Sequence, residues 1–149
     1  MKPSKILLAA TAGTTAMTVY SYTLAEIKSE NFKEPQLLAQ LLSTIDRPLN
    51  RTSASITGWA IHYLVGLIFT LFYERMVKSA GENSIIKQGI MMGSVNGVIA
   101  MIGWQITRRI HPSPPQIAYK KFFGQLFIAH VVFGIVTTLF LKKYLQPLS

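Results

Sequence analysis

The sequence predicts an all-α integral membrane protein: a four-helix bundle of two repeated helical hairpins, with a short amphipathic helix in the first loop. Three observations predict it. Four long apolar runs divide the chain, at 6–25, 55–73, 85–106 and 122–141, and none contains Asp, Glu or Arg. The charged residues gather between these runs. The second and fourth runs also share polar residues in one register: IHYLVGLIFTLF from Ile61 and AHVVFGIVTTLF from Ala129.

Composition agrees. Of 149 residues, 50% are hydrophobic and 14% charged, and the mean hydropathy is +0.33. A chain of this length is one domain. The formal net charge of +9 is read as lysines and arginines at span ends facing anionic lipid head groups, and not as a nucleic-acid surface. The absence of cysteine excludes disulfides, thiolate metal sites and a cysteine nucleophile.

The first run, ILLAATAGTTAMTVYSYTLA, follows Lys2 and Lys5 and is rich in Ala, Thr and Gly. It has two readings, a retained helix and a signal peptide ending near Ala25. An apolar stretch reaching Leu24 is long for a signal core, which favours the retained helix. Each run is long enough to cross a hydrocarbon core of roughly 30 Å, for which a helix needs about 20 residues. Helices are the natural form there, because backbone groups in lipid must pair within the segment.

In the first loop, Leu37, Leu38, Leu41, Leu42 and Ile45 build one apolar stripe, predicting a helix over 35–45. Pro35 suits its first turn, and Asp46-Arg47-Pro48 ends it. It lies in the membrane interface, covers the mouth of the bundle or packs on its own protein. Glu26, Glu30, Glu34 and Asp46 in this segment read as solvated. Between the third and fourth runs, RRIHPSPPQIAYKK flanks three prolines with four basic residues; the prolines end the third helix.

Four spans place both termini on one side. Lys2, Lys5, Arg75, Lys78, Lys87, Lys142 and Lys143 fall on that side. Lys28, Lys33, Arg47, Arg51, Arg108, Arg109, Lys120 and Lys121 fall on the other. The near-tie gives little orientation, and Lys2 and Lys5 favour a cytoplasmic N-terminus. Trp59, Trp104, Tyr20 and Tyr22 fall near the far boundary, as in an aromatic belt.

The repeat pairs His62, Gly66, Thr70, Leu71 and Phe72 with His130, Gly134, Thr138, Leu139 and Phe140. Gly13-Thr14 pairs more loosely with Gly93-Ser94. Consecutive hairpins of one orientation are related by a pseudo-two-fold axis along the membrane normal. His62 and His130 then share one depth, about 10–12 Å from the far ends of their spans at 1.5 Å per residue. His111 closes the third span on that side.

The third run carries Gly89-xxx-Gly93-xxx-Gly97, a small-residue face for close helix packing, with Asn96 beside it to bond across helices. In the second and fourth runs, His62-xxx-Gly66-xxx-Thr70 and His130-xxx-Gly134-xxx-Thr138 place polar groups on one inward face. The favoured reading is that each imidazole bonds to a neighbouring helix. The sharper one is a ligand pair: a metal held with His111, or haem between His62 and His130, with Gly66 and Gly134 clearing room for the cofactor. No carboxylate falls inside a span to share a proton relay with them.

No phosphate loop, HExxH, nucleophile elbow or carboxylate pair is present, which argues against an enzyme. The elements Gly58-Trp59-xx-His62-xxx-Gly66, the glycine-rich third run and His130-xxx-Gly134 resemble the YagU-like group of small four-helix bacterial inner-membrane proteins. That resemblance implies a four-helix membrane fold and no chemistry. The functional expectation is an accessory or solute-interacting membrane protein with its polar centre at His62 and His130. The alternatives are a redox module holding haem or a metal, and an assembly subunit of a larger complex. Its partners are then the lipid bilayer and a membrane complex or homo-oligomer, without nucleic acid.

Overall fold

The computed structural model describes residues 2–45, 49–79 and 85–145, which form five α-helices and, among the described residues, no strand. They are α1 (Pro3–Lys28), α2 (Glu34–Leu42), α3 (Arg51–Ser79), α4 (Ile85–Ile110) and α5 (Tyr119–Leu145). The expected stop at Asp46-Arg47-Pro48, with Arg47, lies outside the described residues, as does the side chain of Lys78.

Among the described residues three helices are long and apolar enough to cross a membrane: Arg51–Met76, Ile85–Ile110 and Tyr119–Lys143. The sequence expectation places a fourth such segment at 6–25, within α1. Its 26 residues span about 39 Å at 1.5 Å per residue, so length is sufficient. It is less apolar than the other three, because its inner face is Ala9, Ala10, Gly13, Thr14, Met17, Thr18 and Ser21 rather than large apolar residues. All three apolar helices outrun the predicted boundaries, since the polar residues flanking each run contain nothing that breaks a helix.

α1 begins with Pro3 in its first turn, where a missing N–H costs nothing. It ends at Ser29, whose φ of 51° lets its own N–H reach the Glu26 carbonyl while that of Glu30 reaches Ala25. α2 stops at Leu42, three residues before the sequence expectation. There the Ser43 and Thr44 hydroxyls both take the Gln40 carbonyl, each at 2.9 Å, closing the last turn.

The long helices run antiparallel in a row, α3–α1–α5–α4. Gly13 and Thr14 set the centre of this row. Gly13 faces Phe133 and Thr137 on α5, and Thr14 faces Gly66 on α3. Nearer the other end, Gln125 Nε2 donates to Ser21 Oγ, joining α5 to α1. The most extensive contact is α4 on α5. A Cβ on Gly89 would stand 2.6 Å from Ile135 Cα, and one on Gly93 would stand 2.5 Å from the His130 carbonyl oxygen. Glycine is required there because two backbones touch. Gly97 lies against Phe127 in the same seam.

The row does not close. α3 and α4, its outer members, barely meet. Asn96 Nδ2 donates to Tyr73 Oη at 3.1 Å, tying them at one level. α2 lies across α3, with its backbone at Pro35 and Ala39 seated on Gly58. Its Leu37 and Leu41 join Trp104, Phe122 and Leu126 in an apolar cluster. Of the three placements open to α2, the structure thus shows it packed on its own protein, over the end of the α3–α4 gap.

Candidate functional site

His62 projects from α3 and is buried, 8% exposed. Its Nε2 lies 2.9 Å from Thr18 Oγ1 on α1. The Thr18 hydroxyl in turn lies 2.7 Å from the Thr14 carbonyl oxygen, which only accepts. The single hydroxyl hydrogen therefore goes to Thr14, and His62 Nε2–H donates to Thr18. His130, on α5 and 4% exposed, donates Nδ1–H to its own helix at Leu126 O, 2.8 Å away. The sequence favoured a bond to a neighbouring helix for both rings. That holds for His62, whereas His130 bonds the carbonyl one turn back, which α5 leaves within its reach. The other ring nitrogen of each has no hydrogen-bond partner among the described residues.

Both rings border one cavity of about 260 Å³ in the α3–α4 gap. Met17, Phe69 and Phe133 line it from inside, Leu38 and Leu41 of α2 cover one end, and Val65 and Ile99 stand at its open side. The His130 ring meets Phe69 edge-on, with centroids 6.0 Å apart.

Glu34 lines the same cavity. This corrects the sequence reading of Glu34 as solvated. It is 7% exposed, the Trp104 indole N–H bonds to its carboxyl, and its Oε2 is buried with no partner. Burial pushes its pKa from 4.5 up to about 7, and the Trp104 bond opposes part of that rise. The signal was present in the sequence. Leu37, Leu38 and Leu41 extended one turn back land on Glu34, at the i, i+3, i+4, i+7 positions of one stripe. Its charge made it look like a surface residue.

His111 does not join the pair. It follows α4, where its Nε2–H donates to Leu41 O at 3.1 Å and its Nδ1 accepts from the Ser113 N–H at 3.1 Å. Both nitrogens are thereby engaged in pinning α2 to the 111–118 loop. Among the described residues no three His, Cys, Asp or Glu side chains are grouped to hold a metal ion.

Gly66 and Gly134, expected to clear room for a cofactor, face other helices. A Cβ on Gly66 would stand 3.3 Å from Thr14 Cβ, with Thr14 Oγ1 nearer still. One on Gly134 would stand 2.7 Å from Gly93 N, with the Gly89 carbonyl oxygen nearer. The far-side basic residues partly turn to their own protein as well: Lys121 pairs with Glu30, and the Arg108 guanidinium lies 4.6 Å from the centre of the Tyr119 ring.

No family model, curated protein or solved structure matches this chain.

Proposed function

We propose that this chain is an integral membrane protein whose α3–α4 cleft binds a small amphipathic molecule reached sideways from the lipid. One observation carries the reading. Three buried polar side chains, Glu34, His62 and His130, share a cavity whose open side is apolar, with Val65 40% and Ile99 50% exposed. A polar ligand would need a wet mouth, and an apolar one would leave the polar groups unmatched.

In this reading α1, α3, α4 and α5 all cross the bilayer, with α1 shielded by α3 and α5. The chain lies in a bacterial inner membrane with both termini on the cytoplasmic side, as the YagU-like resemblance and Lys2 and Lys5 suggest. The repeated hairpins are α1–α3 and α4–α5. Supporting this, Gly66 packs on Thr14 within one hairpin and Gly134 on Gly93 within the other. A strict two-fold would match the α1–α5 contact with an equal α3–α4 contact. The cleft stands where that contact is missing, and α2, which has no counterpart in the second hairpin, covers its end. The seam of Gly89, Gly93 and Gly97 is occupied by α5, so that face is closed to an assembly partner.

The test is thermal unfolding of the purified protein in mild detergent with a panel of small amphiphiles. Gly103 borders the cleft and has nothing within 4 Å of an added Cβ, so Gly103→Phe is chosen to put a bulky ring at the cleft lining. Members of the panel should raise the melting temperature of the native protein and leave Gly103→Phe unmoved. Equal shifts in both proteins, or none in either, would refute the cleft as the binding site.

A further inference from the structure

The polar groups around the cavity are of one kind. Glu34 Oε2 is buried and unpartnered. In the neutral rings His62 and His130 each donate one N–H to the protein, leaving a nitrogen lone pair on the other ring atom. The donors nearby are taken: the Trp104 N–H serves Glu34, and the Thr107 hydroxyl donates to the Gly103 carbonyl at 2.9 Å. Among the described residues no Lys or Arg lines the cavity. Lys33, next to Glu34 in the chain, pairs with Glu26 and lies over the Tyr22 ring, 5.4 Å from its centre.

We infer that this cavity takes an amphipathic organic monocation, an ammonium head on an apolar body, seated on the Glu34 carboxylate in exchange for the carboxyl proton. The inference rests on the cleft reading above and names its ligand class. An ammonium supplies several N–H donors to a site made of acceptors. Its charge also neutralises a carboxylate that would be costly to bury alone. Phe69, Phe133 and Trp104 line the cavity with aromatic rings, a class of side chain that attracts cations. An anion meets only lone pairs there. A neutral alcohol brings one donor and leaves a buried charge uncompensated. A metal ion lacks a grouped set of ligands among the described residues. The cavity, about 260 Å³, falls just below the usual range of roughly 300–1,000 Å³ for ligand pockets, so the body is small.

The exchange balances as one event. The Glu34 carboxyl loses its proton to solvent, the carboxylate accepts an N–H of the incoming ammonium, and the net charge of the site is unchanged. Among the described residues, the other titratable groups lining the cavity are His62 on α3 and His130 on α5, and on α4 the Trp104 indole bonds to Glu34. Because Glu34 holds its proton up to a pH of about 7, ammonium affinity should rise about tenfold per pH unit below that point and level off above it.

The probe is 2-phenylethylammonium, with uncharged 2-phenylethanol as its partner, titrated calorimetrically into the purified full chain in neutral detergent. The ammonium should bind more tightly from pH 5 to pH 7. At pH 6 it should release about one proton, read from the dependence of the heat on buffer ionisation enthalpy. Glu34→Gln keeps shape and size; it should weaken ammonium binding at pH 8 at least tenfold and leave the alcohol unaffected. If the alcohol binds as well as the ammonium, or ammonium binding ignores both pH and Glu34→Gln, the cation assignment is wrong and the cleft reading survives. If neither probe binds, both fail.

Discussion

Replacing Gly134 by alanine tests the packing on which the cleft depends. The new Cβ would sit 2.7 Å from Gly93 N and 2.8 Å from Gly93 Cα, with the Gly89 carbonyl oxygen nearer. Ordinary contact begins at 3.4 Å, so α4 must retreat by more than roughly 0.7 Å along its main seam. The atoms in the way are backbone and cannot turn aside. A gap of that size forfeits about a quarter to a half of each displaced dispersion contact. Overpacking of this kind costs about 1–3 kcal/mol, and a rigid neighbour places Gly134→Ala in the upper half of that range. Gly103→Ala is the control. Nothing lies within 4 Å of its added methyl, and alanine is the better helix former by about 1 kcal/mol. Reversible unfolding of both variants in one detergent, followed by near-UV circular dichroism, gives the difference directly. Equal stability for the two would mean that α4 does not press on Gly134, and would return the room beside that glycine to a bound group.

Two further outcomes follow from named contacts. The folded chain keeps the Glu34 proton to about pH 7, whereas a free glutamate loses it near 4.5. Stability should therefore fall as pH rises through that window and stay flat above it, by about 3 kcal/mol at most. Glu34→Gln should remove the slope and be the more stable protein at pH 8, as melting temperatures across pH 4–8 will show. The Asn96–Tyr73 bond is the tie across the open edge. A double-mutant cycle of Asn96→Ala and Tyr73→Phe should give a coupling of about 0.5–1.5 kcal/mol, and a coupling of zero would remove the tie from the account of the cleft.

Some of this molecule is legible in its sequence. A helix presents every third or fourth residue to one neighbour, so the glycines at 89, 93 and 97 announce a close crossing before any partner is known. The same periodicity marks the leucine stripe of α2 and the inward faces of His62 and His130. Long apolar runs fix where α3, α4 and α5 lie, because no other chain segment could bury so much apolar surface. Other properties belong to the tertiary structure. Sequence spacing says which residues share a face and nothing about which helix that face meets. That His62 bonds Thr18, that Gly134 abuts α4 rather than a cofactor, and that His111 secures α2 are all results of packing order. The clearest case is Glu34. A carboxylate carries its charge into any sequence reading and is assigned to water. Only the placement of α2 over the gap between α3 and α4 removes that water and brings Glu34 to the cavity that His62 and His130 also line. The sequence determines that a polar centre exists inside this bundle; the unequal closure of its two helix pairs decides that the centre is open and that it contains an acid.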